Sequence, residues 1–279
     1  MLALHSTWSR PRTNSGGNFY IEDFDLLTTI LSALKWREKN GTIKMVTDSI
    51  GYEFYKSRGM CGIWDEITTG LDDISPDIDP HTFWAAGKLF ALKDTDAPVA
   101  VIDTDFIVWD RLAFDNLKDL SVIHKEELYS DIYPDISEFK MKRGFVFDPN
   151  LDWHTSPVNS AFYVIKNNAL KKLYVNQALS FIDNSAGSDL VTYMVFAEQR
   201  LLAMCARMSG IEIKEFSSLT RLFEDGDRYF THIWGMKQQM RDNFELRRDF
   251  CMRCINRIKS DFPEFSDMLA KIPELKCYL

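Results

Sequence analysis

The stretch "PVAVIDTDFIVWDRL", residues 98–112, decides how the rest of the chain is read. Val99–Ile102 are apolar, Asp103-Thr104-Asp105 follows, and Phe106–Trp109 are apolar again. A short apolar run bounded by turn residues reads as a strand buried on both faces, as in a parallel sheet. An unpaired buried carboxylate is very costly, so Asp103 and Asp105 require an arginine, backbone N–H groups or a metal ion. In extended chain, residues i and i+2 point to one side, which aims both carboxylates together and asks for a cation beside them. Mg²⁺ and Mn²⁺ take carboxylate oxygens and complete their shells with water and phosphate.

Working outward, residues 1–8 read as a first strand. Phe24, Leu27, Ile30, Leu31 and Leu34 then recur at helical spacing up to a C-cap glycine, Gly41. "TIKMVTD" is a strand ending at Asp48, and "SIGYEFYKSRGM" a short helix closed by Gly59. "DPHTFWAAGKLFALKDTDAP" is a third helix, with Asp79 as N-cap and Pro80 at its first position. Strands alternating with helices predict an α/β fold, a mostly parallel sheet flanked by helices on both faces. Ligands of such sheets bind beyond the carboxyl ends of the strands, where both Asp48 and Asp103 fall.

Downstream, "YSDIYPDISEFKMKRGFVFDPNLDWHTSP" reads as a long loop with a short hairpin. "VNSAFYVIKN" is a strand and "NALKKLYVNQALSFIDN" a helix. A further helix runs from a Ser188 cap to Gly210, and "IEIKEF" is a late strand. Residues 1–235 form the expected catalytic domain, and residues 236–279 a C-terminal helical extension packed on it. That extension is basic, and has two readings. It packs on the sheet with its charges in water, or it docks on anionic lipid, where each basic residue contributes about 1 kcal/mol.

The 279 residues are 46% hydrophobic and 27% charged, a globular composition. A net charge of −8 argues against a general nucleic-acid role. No apolar run approaches the roughly 20 residues of a membrane span, and the start is too short for a signal-peptide core, so a cytoplasmic protein is expected. Five cysteines make a disulfide framework unexpected. Cys251-Met252-Arg253-Cys254 lacks a second pair to complete a zinc site and reads as two helix cysteines.

Several segments, taken in order, resemble glycosyltransferases of the GT-A fold. "AVIDTDFIVW" resembles their D-x-D motif, and "HTFWAAGKLFAL", with Lys88, the helix before it. "SPVNSAFYVIKN" resembles their N-S-G strand, with Ala161 in the glycine's place, and "FAEQRLLAM" their D-Q helix, with Glu198 for Asp. "YFTHIWGMKQ" resembles their late H-x-x-G segment, without the Lys-Pro-Trp ending of some members. These departures place the resemblance at the superfamily level and fix neither donor nor acceptor.

The resemblance implies a GT-A-like, Rossmann-type sheet and metal-dependent transfer of a sugar from a nucleoside diphosphate, a UDP-sugar first, to a glycan or lipid-linked hydroxyl. Asp103, Asp105 and His232 would hold Mn²⁺, or else Mg²⁺. Lys88, Gly235 and Lys237 would meet the diphosphate, and His5, Ser6 and Asp48 the nucleotide. Asn159, Glu198 and Gln199 would orient sugar and acceptor, Glu198 serving as base if the reaction inverts. Two other readings stay open: a non-catalytic sugar-nucleotide or partner-binding protein of this fold, and a haloacid-dehalogenase-type phosphatase.

Overall fold

The computed structural model describes residues 1–13 and 17–279. Its strands are β1 (Leu2–Thr7), β2 (Ile43–Thr47), β3 (Glu66–Thr68), β4 (Val99–Ile102), β5 (Phe106–Val108), β6 (Leu120–Val122), β7 (Phe162–Ile165), β8 (Ile213–Glu215) and β9 (Phe230–His232). Seven of them form one sheet in the order β3-β2-β1-β4-β7-β6-β8, while β5 and β9 pair separately. β7 runs against β4 and β6; the remaining neighbours in the large sheet run parallel. This is the mostly parallel α/β sheet that the sequence predicts.

The unbroken apolar run of β4 follows from its central place. Val99 and Val101 face one apolar layer, and Ala100 and Ile102 the other. On the second layer lie α1 (Asp23–Lys39) and, after α2 (Ser49–Ser57), residues from the C-terminal end of the chain. On the first lie α3 (Ala86–Lys93), α4 (Asn168–Asn184), and a helix of three parts. That helix runs from α5 (Thr192–Val195) through a π turn at Phe196–Arg200 into α6 (Leu201–Met208).

The chain ends with α7 (Lys237–Asp242), α8 (Phe244–Asp261) and α9 (Ser266–Leu269). α8 lies along α1 and buries Cys251, Cys254, Ile255 and Ile258 in the same core. Both cysteines are free thiols inside this contact. Several basic residues of the segment are answered within the chain: Arg241 pairs with Glu22, Arg247 with Asp23, and Arg257 with Asp261. Among the described residues no helix is long and apolar enough to cross a membrane.

Several expected boundaries move. The third helix begins at Ala86, because Asp79 caps a turn instead, accepting from the backbone of His81 and Thr82 at 3.1 Å. Val191, not Ser188, is the N-cap of the later helix, and Asp189 before it accepts from Thr192 N at 2.6 Å. α1 ends at a C-cap Asn40, and Gly41 has φ +130°, where an added Cβ would lie 2.6 Å from Met1 N. The long loop forms turns and isolated bridges but no hairpin. β3 and β6, three residues each, carry no pattern long enough to read.

Gly87 sits where α3 meets the first strand's loop. A Cβ there would lie 2.9 Å from both Trp8 Cβ and Leu71 Cδ1. Helix propensity favours Ala over Gly by about 1 kcal/mol, whereas overpacking costs about 1–3 kcal/mol. Gly87→Ala is therefore expected to lower stability, by up to about 2 kcal/mol; a urea melt with equal or higher midpoint would show that α3 moves aside freely.

Candidate active site

The chain between β4 and β5 turns sharply, with Phe106 N donating to Asp103 O at 2.9 Å. β4 belongs to the large sheet and β5 to the small one, so Asp103 and Asp105 are not on one extended strand. The expectation that they face together is corrected accordingly: each has its own cationic partner. Asp103 Oδ1 lies 2.5 Å from Lys88 Nζ. Asp105 Oδ2 lies 2.8 Å from Lys237 Nζ, and its Oδ1 is 3.7 Å from His232 Nε2.

Lys88 reaches Asp103 from α3 and is buried. Its ammonium also pairs with Glu198 of the π turn and donates to Ser160 O at 3.1 Å. Burial works against its charge, but Asp103 and Glu198 overrule it and raise its pKa. Asp103, with a third of its side chain exposed, sits at the mouth of the site. Its own pKa is raised, first by the surrounding protein and then by Glu198 and Asp105, with Lys88 opposing. Burial would also raise Asp105, but Lys237 and His232 hold it low.

His232 arrives through sheet pairing, opposite Phe106 in the β5–β9 ladder. Burial pushes its pKa down to about 4 against the pull of Asp105, so the imidazole is neutral at neutral pH. Its Nδ1 is buried without a hydrogen-bond partner. Lys237, at the start of α7, is shared: its Nζ also stands 3.0 Å from Asp25 Oδ1.

Three other expected residues are engaged in holding the fold. His5 is fully buried; its Nδ1 accepts from Trp64 Nε1 at 3.1 Å, so Nε2–H donates to Ser32 Oγ at 3.0 Å. Both nitrogens are taken, and His5 is not presented to a ligand. Asp48 caps α2, accepting from Gly51 N at 2.8 Å, and its second oxygen accepts from Ser9 N and Oγ. Asn159 donates to Glu126 Oε1 at 2.8 Å and accepts from Ala161 N at 3.0 Å.

Glu198, buried against Lys88, is withdrawn from any acceptor hydroxyl; the expectation that it acts as base is corrected to holding the lysine. Gln199 accepts from Tyr133 O–H. Ser6 is half-buried in β1 opposite Val46 of β2. Gly235 is exposed in a short turn, where a Cβ would meet only the Phe223 ring at 3.6 Å, so nothing in the fold requires glycine there.

Two neighbours carry no sequence signal. Asp25 reads only as an acidic residue in a helix's first turn. His124 donates from Nδ1 to Lys125 O at 2.9 Å, and its Nε2 is buried without a hydrogen-bond partner.

Among the described residues no group of three or more His, Cys, Asp and Glu side chains stands ready to hold a metal ion. Asp105 and His232 do fit as two donors. Their 3.7 Å separation is wider than the roughly 3.0 Å between adjacent octahedral ligands with bonds of about 2.1 Å, so the two would close by a fraction of an ångström to share one ion. A hard ion bound by one or two side chains takes the rest of its shell from water and phosphate. The neutral imidazole, with Nδ1 unclaimed and Nε2 towards Asp105, is the form a ligand requires.

Removing one partner of a buried ion pair typically costs about 3–5 kcal/mol. Lys88→Met is expected to destabilise by that order, and Lys88→Met/Glu198→Leu to regain most of it in chemical denaturation; a double variant no better than the single would separate Lys88 from Glu198. The two buried histidines set a pH dependence. Burial lowers His5 to about 3 and His232 to about 4, both from 6.5. The unfolded chain binds those protons first, so stability is full above about 6.5 and falls towards pH 4, by up to about 1.4 kcal/mol per unit for each group. The raised Asp103 opposes this with one proton against two. The slope of stability against pH should therefore be positive here and shallower in His5→Gln; a flat profile would count against neutral burial.

No curated protein sequence matches the chain. Similar solved structures include the PaToxG glycosyltransferase, 10% identical with a TM-score of 0.44, covering 75% of this chain and 69% of that one. A second is the galactosyltransferase LgtC in complex with donor and acceptor sugar analogues, 11% identical with a TM-score of 0.40, covering 80% and 74%. A third is mouse xyloside xylosyltransferase 1 in its apo form, 10% identical with a TM-score of 0.40, covering 77% and 84%. Likenesses this slight leave function to the geometry of the site. Over residues 1–272 the sequence matches the family DUF6734, described as a family of unknown function, and the chain belongs to that family.

Proposed function

We propose that the protein is a metal-dependent glycosyltransferase that moves a sugar from a nucleoside diphosphate to a hydroxyl acceptor. The observation carrying this reading is the meeting of Asp105, His232 and Lys237 beyond the carboxyl end of β4. Open α/β sheets bind ligands at that edge. A carboxylate, a neutral imidazole and an ammonium there suit an anionic ligand bound with a divalent ion.

Asp105 and His232 would hold Mn²⁺, or Mg²⁺, with water and phosphate completing the shell while Asp103 stays on Lys88. The ion supplies Lewis-acid neutralisation of charge on the departing diphosphate. Lys237, already beside Asp105, adds a fixed positive charge where that charge grows. Lys88 acts from behind: it neutralises Asp103 and Glu198 and fixes the turn on which Asp105 stands. Gln199, which accepts from Tyr133, would orient sugar and acceptor. A UDP-sugar is the first donor to try, with a glycan or lipid-linked acceptor. Contact with anionic lipid through α8 would rest on the charges that its internal ion pairs leave over.

The test combines binding with turnover. Thermal melts with nucleoside diphosphates and their sugars, with and without Mn²⁺, are run on wild type and Asp105→Ala. A ligand at a hundredfold its Kd adds about 2.7 kcal/mol. Stabilisation by one nucleotide that needs Mn²⁺ and vanishes in the variant, with sugar transfer or donor hydrolysis by wild type, is expected. Binding without product would favour the non-catalytic reading, and no nucleotide effect would remove the donor site.

A further inference from the structure

Asp25 is the third residue of α1, more than nine-tenths buried, and no motif singles it out. Its Oδ1 lies 3.0 Å from Lys237 Nζ yet has no aligned hydrogen bond, so the contact is electrostatic and oblique. Its Oδ2 has Arg12, half in solvent, at 3.8 Å. The same lysine lies 2.8 Å from Asp105 Oδ2. Two buried carboxylates therefore share one buried ammonium, with the half-exposed Arg12 guanidinium at the far oxygen of Asp25 and the neutral His232 adding no charge. Like charges this close repel, and a second cation relieves them.

We propose that Asp25 is a positioning residue: it keeps Lys237 in the site when Asp105 is given over to a divalent cation. This rests on the metal-dependent reading above. With Asp25 charged, Lys237 loses one of two partners when a cation takes Asp105, and its Nζ is already at the other. In Asp25→Asn, Lys237 and Asp105 close as a one-to-one pair, and a cation has to break that pair to bind. Asp25 is thus what leaves the Asp105 carboxylate open to an ion.

The measurement is Mn²⁺ affinity of the full chain, without nucleotide or sugar, from the electron paramagnetic resonance signal of free Mn²⁺. Melting curves check the fold of each variant. Asp25→Asn is expected to weaken Mn²⁺ by about 10–100-fold, the usual effect of losing a residue that supports a ligand. Asp25→Glu, which keeps the charge, stays near wild type. Asp25→Asn/Lys237→Met recovers affinity, because Asp105 then has no ammonium to surrender; it also removes the charge imbalance if Asp25→Asn folds poorly. Wild-type affinity in Asp25→Asn, or a double variant weaker than wild type by the same factor as the single, overturns the proposal and leaves the metal reading standing. No Mn²⁺ binding by wild type overturns both.

Discussion

The buried ammonium of Lys88 is the interaction on which the site depends. It touches Asp103 after β4, Glu198 in the π turn and the Ser160 carbonyl before β7, so one side chain ties three separate segments together. A lysine is seldom buried, and here two carboxylates and a carbonyl replace its water. The preceding residue makes this reach available. Gly87 lets α3 lie against Trp8 and Leu71 more closely than any side chain would allow.

With Asp103 held from behind, Asp105 is free to belong to something else. It begins the β5–β9 ladder, whose pairing sets Phe106 opposite His232. Phe106 also stacks on Phe162 of the large sheet, at 5.5 Å between ring centres. Apolar packing thus fixes the small sheet over the large one. The carboxylate, imidazole and lysine ride on that packing, and the site's polar geometry follows from its aromatic floor.

The sequence carried the long elements and lost the short ones. α1 and α4, at 17 residues each, show several turns of periodicity. β4 shows four consecutive apolar residues because both its faces are covered. β3 and β6 are held by their neighbours in the sheet and have no pattern of their own. Within the site, Asp105, His232 and Lys237 were legible as residue types in order, and the fold brings the three together. Their partners were not: Asp25 is more than two hundred positions from Lys237, and nothing local marks it. His5 and Asp48 were misread for a common reason. Polar residues at strand ends serve ligands in some folds, but here they satisfy buried donors and cap a helix.

The π turn shows how much one local irregularity supports. In a regular helix, residues 198 and 200 point about 200° apart, so one normally faces the core while the other faces away. Here both are buried, with Gln199 between them. Glu198 turns to Lys88. Arg200 donates to the carbonyls of Tyr133, Pro134 and Trp153, fastening the long loop across the helix. Gln199 receives Tyr133 from that same loop. Opposite sides of one helix thereby serve a buried ion pair and a loop that needs anchoring, and the widened turn is where both demands meet. π turns recur at functional sites, and this one ties the buried Lys88 ion pair to the long loop through three consecutive side chains.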